Sequence, residues 1–134
     1  PIDMPSMAAG LADRDVVFSG EIHDSAATHR LQFELVRALH ALRPELVVSM
    51  EMFERDAQPY LDDYLAGKID EKEFLEHSRP WPDYHAFYRP IVEYAKEHGL
   101  RVVAANMPRK LDTFLSECQP LLGAVEEAVA KIRF

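Results

Sequence analysis

Three short apolar runs, Val16-Val17-Phe18, Leu46-Val47-Val48 and Val102-Val103-Ala104-Ala105, most strongly limit what this chain can become. Each is continuous rather than alternating, the pattern of a strand covered on both faces. That pattern belongs to parallel sheets, whose strands need long crossovers that are usually helical. The first interval supplies one. Leu31, Leu35, Leu39 and Leu42 recur at spacings of four and three and fall on one helix face. Asp24, Ser25 and Thr28 are each candidates to cap its start, and Pro44 stops it. Residues 16–48 therefore predict one βαβ unit.

The second interval is longer and mostly helical, an insertion over about residues 55–98. Residues 57–65 and 71–77 predict two short helices separated by Gly67. The loop Arg79-Pro80-Trp81-Pro82-Asp83-Tyr84 is stiffened by proline. Pro90 suits a first helical turn, Ile91, Tyr94, Ala95 and His98 share a face, and Gly99 suits a C-cap. Beyond Pro120 the tail is amphipathic, with Leu121, Val125, Val129 and Ile132 aligned. The fold class expected is α/β: a parallel sheet built from βαβ units, with a helical insertion between strands two and three.

Composition agrees and excludes some functions. The 134 residues are 48% hydrophobic, enough for one domain with a core. A formal net charge of -8 argues against non-specific nucleic-acid binding, which needs a basic surface. Cys118 is the only cysteine, so an internal disulfide is excluded. That fits a reducing cytoplasm, and equally a periplasmic protein stabilised by its core. No apolar run approaches the roughly 20 residues of a membrane helix. The opening Pro1-Ile2-Asp3-Met4-Pro5 reads as a processed or trimmed start.

Ligands of open parallel sheets bind beyond the carboxyl ends of the strands. Following the three runs, that rule selects Glu21, His23 and Asp24, then Glu51, then Asn106 and Arg109. Glu21 and His23, two apart, would point the same way on a continued strand. A carboxylate beside an imidazole can ligate a metal, share a proton, or simply form a hydrogen bond. His29 and Gln32 follow at i, i+3 spacing, and a helix starting there would favour an anion such as a haem propionate. The plainer readings stand beside these. A helix-start histidine is usually exposed, and His40, His77, His85 and His98 read as surface residues. Glu54, Arg55 and Asp56 read as a solvated charge cluster, and the leucine faces as core. Trp81, Tyr84, Phe87 and Tyr88 can form a satellite core, or line a flat apolar site with a tyrosinate as iron ligand.

Taken in order, several motifs resemble one known family. These are Val17-Phe18-Ser19-Gly20-Glu21-Ile22-His23-Asp24, His29-Arg30-Leu31-Gln32, Ser49-Met50-Glu51-Met52-Phe53 and Gln58-Pro59. Trp81-Pro82-Asp83-Tyr84, Tyr88-Arg89-Pro90-Ile91-Val92 and Ala104-Ala105-Asn106-Met107-Pro108-Arg109 complete the set. Over residues 14–110 the chain resembles the ChaN-like haem-binding uptake proteins. The resemblance implies a bacterial, iron-regulated haem-binding protein, often a lipoprotein at the cell envelope or periplasm. It also implies a homodimer in which two haems stack, each iron held by a tyrosine, for which Tyr84 and Tyr88 are the candidates here. Glu21, His23, His29, Asn106 and Arg109 are the further haem contacts expected.

The family is similar, more distantly, to the Tiki and erythromycin-esterase-like proteins. Their Gly-Glu-x-His motifs accompany metal-dependent hydrolysis, which would make Glu21, His23 and Glu51 divalent-metal ligands or catalytic groups. The ordered motifs and the Tyr-rich loop make haem binding without turnover the leading expectation, and the absence of a compact His-Glu-x-x-His signature counts against the hydrolase. A non-catalytic interaction domain is a third reading. Family members are usually longer, and residues 111–134 form a tail that does not match them. Residues 1–134 are thus expected to be one α/β domain, or a fragment of a longer ChaN-like one. The lipidation cysteine of lipoproteins has no counterpart near residue 1.

Overall fold

The second and third apolar runs are strands, and they pair in parallel. In a computed structural model of the protein, which describes residues 3–109, β1 spans Val47–Glu54 and β2 spans Arg101–Asn106. Val47 lies opposite Arg101, Met50 opposite Ala104, and Glu54 opposite Asn106. An irregularity between Met50 and Glu54 gives β1 extra residues over the same span. It brings Met50 and Phe53, three apart, both into the core. Burial on both faces is not what the strands show. Val47, Ser49, Glu51, Arg101 and Ala105 are exposed, whereas Met50, Val102 and Ala104 are buried. Among the described residues this sheet is covered chiefly on one face.

The first run forms no strand. Val16-Val17-Phe18 lies in an irregular segment, with Val16 66% and Phe18 95% exposed. Three apolar residues between Asp15 and Ser19 bury too little surface to hold an extended segment unless a neighbour pairs with it. Among the described residues the sheet has two strands, so residues 16–48 do not close as the expected βαβ unit.

Helix α1 spans Met4–Leu11 and packs on α2, Ala26–Leu42. Asp3 caps α1 by accepting from the Ser6 amide, and Ser25 caps α2 by accepting from the Thr28 amide. The leucine stripe is not the inner face of α2. Leu39 is buried, but Leu31 and Leu42 are 53% and 49% exposed. The residues turned inward include His29, Phe33, Val36 and Leu39, at helical spacing but rotated from that stripe.

Between the strands run α3 (Gln58–Leu65), α4 (Glu71–Ser78) and α5 (Arg89–His98). Asp70 caps α4, and Gly99, at φ +68, ends α5 in the left-handed conformation that glycine adopts without strain. A wide π-type turn, Tyr84–Tyr88, leads into α5. The core lies between the strand pair and these helices. Phe74 stacks on Tyr64 at 4.7 Å and meets Phe53 at 5.6 Å, and Val92, Ala95, Val102 and Ala104 fill the space beside them.

One side chain completes the sheet. Gln58 accepts from the Ala104 amide at 2.7 Å and donates to the Val102 carbonyl at 2.9 Å. A neighbouring strand would satisfy those backbone groups in the same way. The amphipathic stretch expected beyond Pro120, and the rest of 111–134, lie outside the described residues.

Candidate functional site

Glu21 sits where three separate stretches of chain meet. Its own segment brings His23, α2 brings His29 and Gln32, and the wide turn brings Tyr88. Oε1 of Glu21 receives Nδ1 of His23 at 2.7 Å and the Tyr88 hydroxyl at 2.8 Å. Oε2 receives the Gln32 amide at 3.0 Å, with Nδ1 of His29 at 3.6 Å. The Glu21 side chain is only 7% exposed. Burial pushes its carboxyl up, but hydrogen bonds from His23, Tyr88 and Gln32 and the charge of His29 outweigh it. The net result lies below the ordinary value. Glu21 is an anion here.

The hydrogen bonds also fix the donors. A carboxylate only accepts, so Gln32 must turn its NH2 to Glu21 and its oxygen to His29. Nδ1 of His29 then faces Gln32 Oε1 at 3.2 Å, and Nε2 donates to the His23 carbonyl at 2.9 Å. Both ring nitrogens of His29 face acceptors, and the set is fully satisfied when both carry hydrogen. The ring is 3% exposed and stacked on Phe87 at 4.3 Å. A helix-start histidine is usually exposed; this one is buried behind Glu21.

His23 is the outward member, its side chain 64% exposed. Its Nδ1–H goes to Glu21, so in the neutral ring Nε2 carries the lone pair. Carboxylate–histidine pairs of this kind orient an imidazole as a metal ligand or base. Trp81 meets the ring edge-on at 4.9 Å. Val16, Phe18 and Ile22 place exposed apolar side chains along the same segment.

The two tyrosines face inward. Tyr88, 2% exposed, spends its hydroxyl on Glu21; burial first, then that hydrogen bond and charge, push its phenol above the ordinary value. Tyr84, also 2% exposed, packs near Phe53 and Phe74, and its hydroxyl has no hydrogen-bond partner among the described residues. Burial above all raises its phenol too. The surroundings of both favour the neutral phenol.

The other residues expected beyond the strand ends lie elsewhere. Glu51 falls inside β1 rather than after it, because the strand runs on to Glu54; it is exposed and makes no hydrogen bond to Glu21 or His23, although its charge acts on Tyr88. Asn106 ends β2 opposite Glu54. Glu54, expected to be solvated, is 14% exposed and receives the Arg109 amide at 3.3 Å, with Nε of Arg109 also at 3.3 Å. Arg79, at φ 48, donates to Asp56 at 3.0 Å and reaches Glu54 at 3.4 Å. Glu21 and Glu54 thus anchor two distinct polar clusters. Gln32 and Trp81 belong to the first although strand-end reasoning passed over them; the i, i+3 spacing of His29 and Gln32 was the available signal.

A mixed α/β fold carrying a buried carboxylate that holds an outward histidine narrows the class of protein considerably. The family described as haem-binding uptake, Tiki superfamily, ChaN has a sequence model that matches residues 7–118, and the chain belongs to this family. No curated protein and no solved structure matches the chain significantly. No helix among the described residues is long and apolar enough to cross a membrane. Among them, no group of three or more His, Cys, Asp or Glu side chains is placed to hold a metal ion.

Proposed function

We propose that the protein binds haem for uptake, using the Glu21–His23 corner as its contact. The observation that carries this is the outward His23, with Nδ1 held at 2.7 Å by a buried carboxylate and Nε2 left as a ligand nitrogen. Membership of a haem-binding uptake family supports the same reading. Haem supplies an iron that accepts an axial ligand, a flat apolar ring and two carboxylates. His23 fits the first of these requirements. The exposed Val16, Phe18 and Ile22 offer apolar surface to the ring. Tyr88 holds Glu21 rather than meeting the ligand.

Haemin titration tests the proposal. Wild type is expected to give a saturable Soret shift, and His23→Ala to lose most of it with an unchanged far-UV circular dichroism spectrum. A flat wild-type titration would overturn haem binding. A tyrosinate-type spectrum that survives in His23→Ala would instead move the ligand to another residue. A homodimer at the cell envelope belongs to the same reading on family grounds, and sedimentation with and without haemin tests the dimer.

A further inference from the structure

His23 is held by a closed circuit of hydrogen bonds that leaves from its ring and returns to its own backbone. Its Nδ1 meets Oε1 of Glu21 at 2.7 Å, and Oε2 of the same carboxylate receives the Gln32 amide at 3.0 Å. Oε1 of Gln32 faces Nδ1 of His29 at 3.2 Å, and Nε2 of His29 returns to the His23 carbonyl at 2.9 Å. Two members of the circuit, His29 and Gln32, stand one turn apart on α2, a helix whose start is set by the Ser25 cap. The ring and the backbone of His23 are thus both referred to one regular element.

Gln32 is the link that fixes how the carboxylate is turned. Oε1 of Glu21 has two donors, His23 and Tyr88, but Gln32 is the only hydrogen-bond donor to Oε2 among the described residues. Nδ1 of His29 lies 3.6 Å from Oε2, outside hydrogen-bond reach. The Gln32 amide therefore satisfies Oε2 and occupies His29 Nδ1 at once. A side chain of the same length without the amide leaves Oε2, on a carboxylate 7% exposed, without a donor. His29 Nδ1 is then the group within short reach, and a carboxylate that swings to it withdraws Oε1 from His23.

We propose that Gln32 is a positioning residue of the Glu21–His23 corner, keeping Nε2 of His23 in the lone-pair state that an axial iron ligand requires. The proposal rests on the haem reading of that corner. A neutral imidazole carries one ring hydrogen, and the nitrogen that takes it is set by the bond it makes. With Glu21 accepting at Nδ1, the hydrogen stays there and Nε2 is free for iron. With Glu21 turned to His29, the hydrogen can move to Nε2, where it blocks ligation. Gln32, half-buried on α2, acts through Glu21 and needs no contact with the ligand.

Two readouts test it, one on the protein without haemin and one with it. Long-range proton–nitrogen NMR, at a pH where the ring is neutral, should show wild-type His23 as the Nδ1–H tautomer alone. Gln32→Met keeps the length of the side chain and lacks its donor; Gln32→Ala repeats the loss with a residue of high helix propensity. Both are expected to keep the far-UV circular dichroism spectrum, to show the Nε2–H tautomer of His23, and to bind haemin roughly tenfold more weakly. If Gln32 only packs, the variants lose stability and leave the tautomer unchanged, a result that would overturn the proposal. A mixed tautomer already present in wild type would do the same. A flat haemin titration of wild type, with the tautomer change seen in both variants, would remove the haem reading and uphold the positioning of His23 by Gln32.

Discussion

Tyr88 and His23 share one oxygen atom: Oε1 of Glu21 accepts the phenol at 2.8 Å and the imidazole Nδ1 at 2.7 Å. The residue that faces solvent is therefore oriented through a carboxylate by one that is buried. Removing the Tyr88 hydroxyl leaves the ring in place and takes one donor from a buried anion. Tyr88→Phe is expected to destabilise by about 1.5–3 kcal/mol, the range for hydrogen bonds to charged groups. Urea denaturation checks this, and haemin affinity should fall in the same variant.

His29 and His23 should respond in opposite ways. His29 is buried, stacked on Phe87 and bonded at both nitrogens, so His29→Ala opens a cavity and removes the partner of the His23 carbonyl and of Gln32. We expect a loss of about 3 kcal/mol. His23→Ala removes an exposed ring and should shift stability by no more than about 0.5 kcal/mol, with its effect appearing in haemin binding instead. Parallel denaturation curves of the two variants separate the roles.

Gln58 bonds two backbone groups of β2 with one side chain. Gln58→Ala leaves both without that partner, and a loss of about 2 kcal/mol is expected, at the lower end for two partly buried groups. Hydrogen exchange gives a local readout: the Ala104 amide should exchange faster, while amides of α2 stay protected.

Glu71 and Arg89 form a two-bond ion pair, at 2.5 and 3.1 Å. The Arg89 hydrogen bond, against the opposing effect of burial, holds the Glu71 carboxyl below its ordinary 4.5. A carboxyl lowered on folding contributes stability above about pH 4.5, and that contribution is lost as pH falls through its folded value. Glu71→Gln is expected to flatten this part of the acid limb, as read by thermal denaturation from pH 6 to pH 3.

Much of the scaffold was legible from short-range signals. Pro90, Gly99 and the apolar runs at 46–48 and 102–105 marked α5, β1 and β2 correctly, because caps and β-branched runs act locally. Val16-Val17-Phe18 carried the same signal and formed no strand, since pairing depends on neighbours that a local pattern does not record. The leucines of α2 misled for a related reason. Leu31 and Leu42 are more apolar than His29 and Gln32, yet the polar pair turns inward because Glu21 offers it partners. Glu21 and His23 were readable as a site from their spacing. Tyr88 at the same carboxylate comes from a contact across 67 residues.

That sequence separation has a consequence for the order in which the protein acquires its parts. During synthesis His23 and Glu21 emerge early, and Tyr88 only after the whole helical crossover has been made. Closing so long a loop is slow relative to helix formation. A nascent or nicked chain ending before the wide turn would carry the histidine without the phenol that helps orient it. On the proposed haem reading, full affinity therefore marks completion of the crossover, and a chain ending between α3 and α4 should bind haemin more weakly while keeping α2 helical.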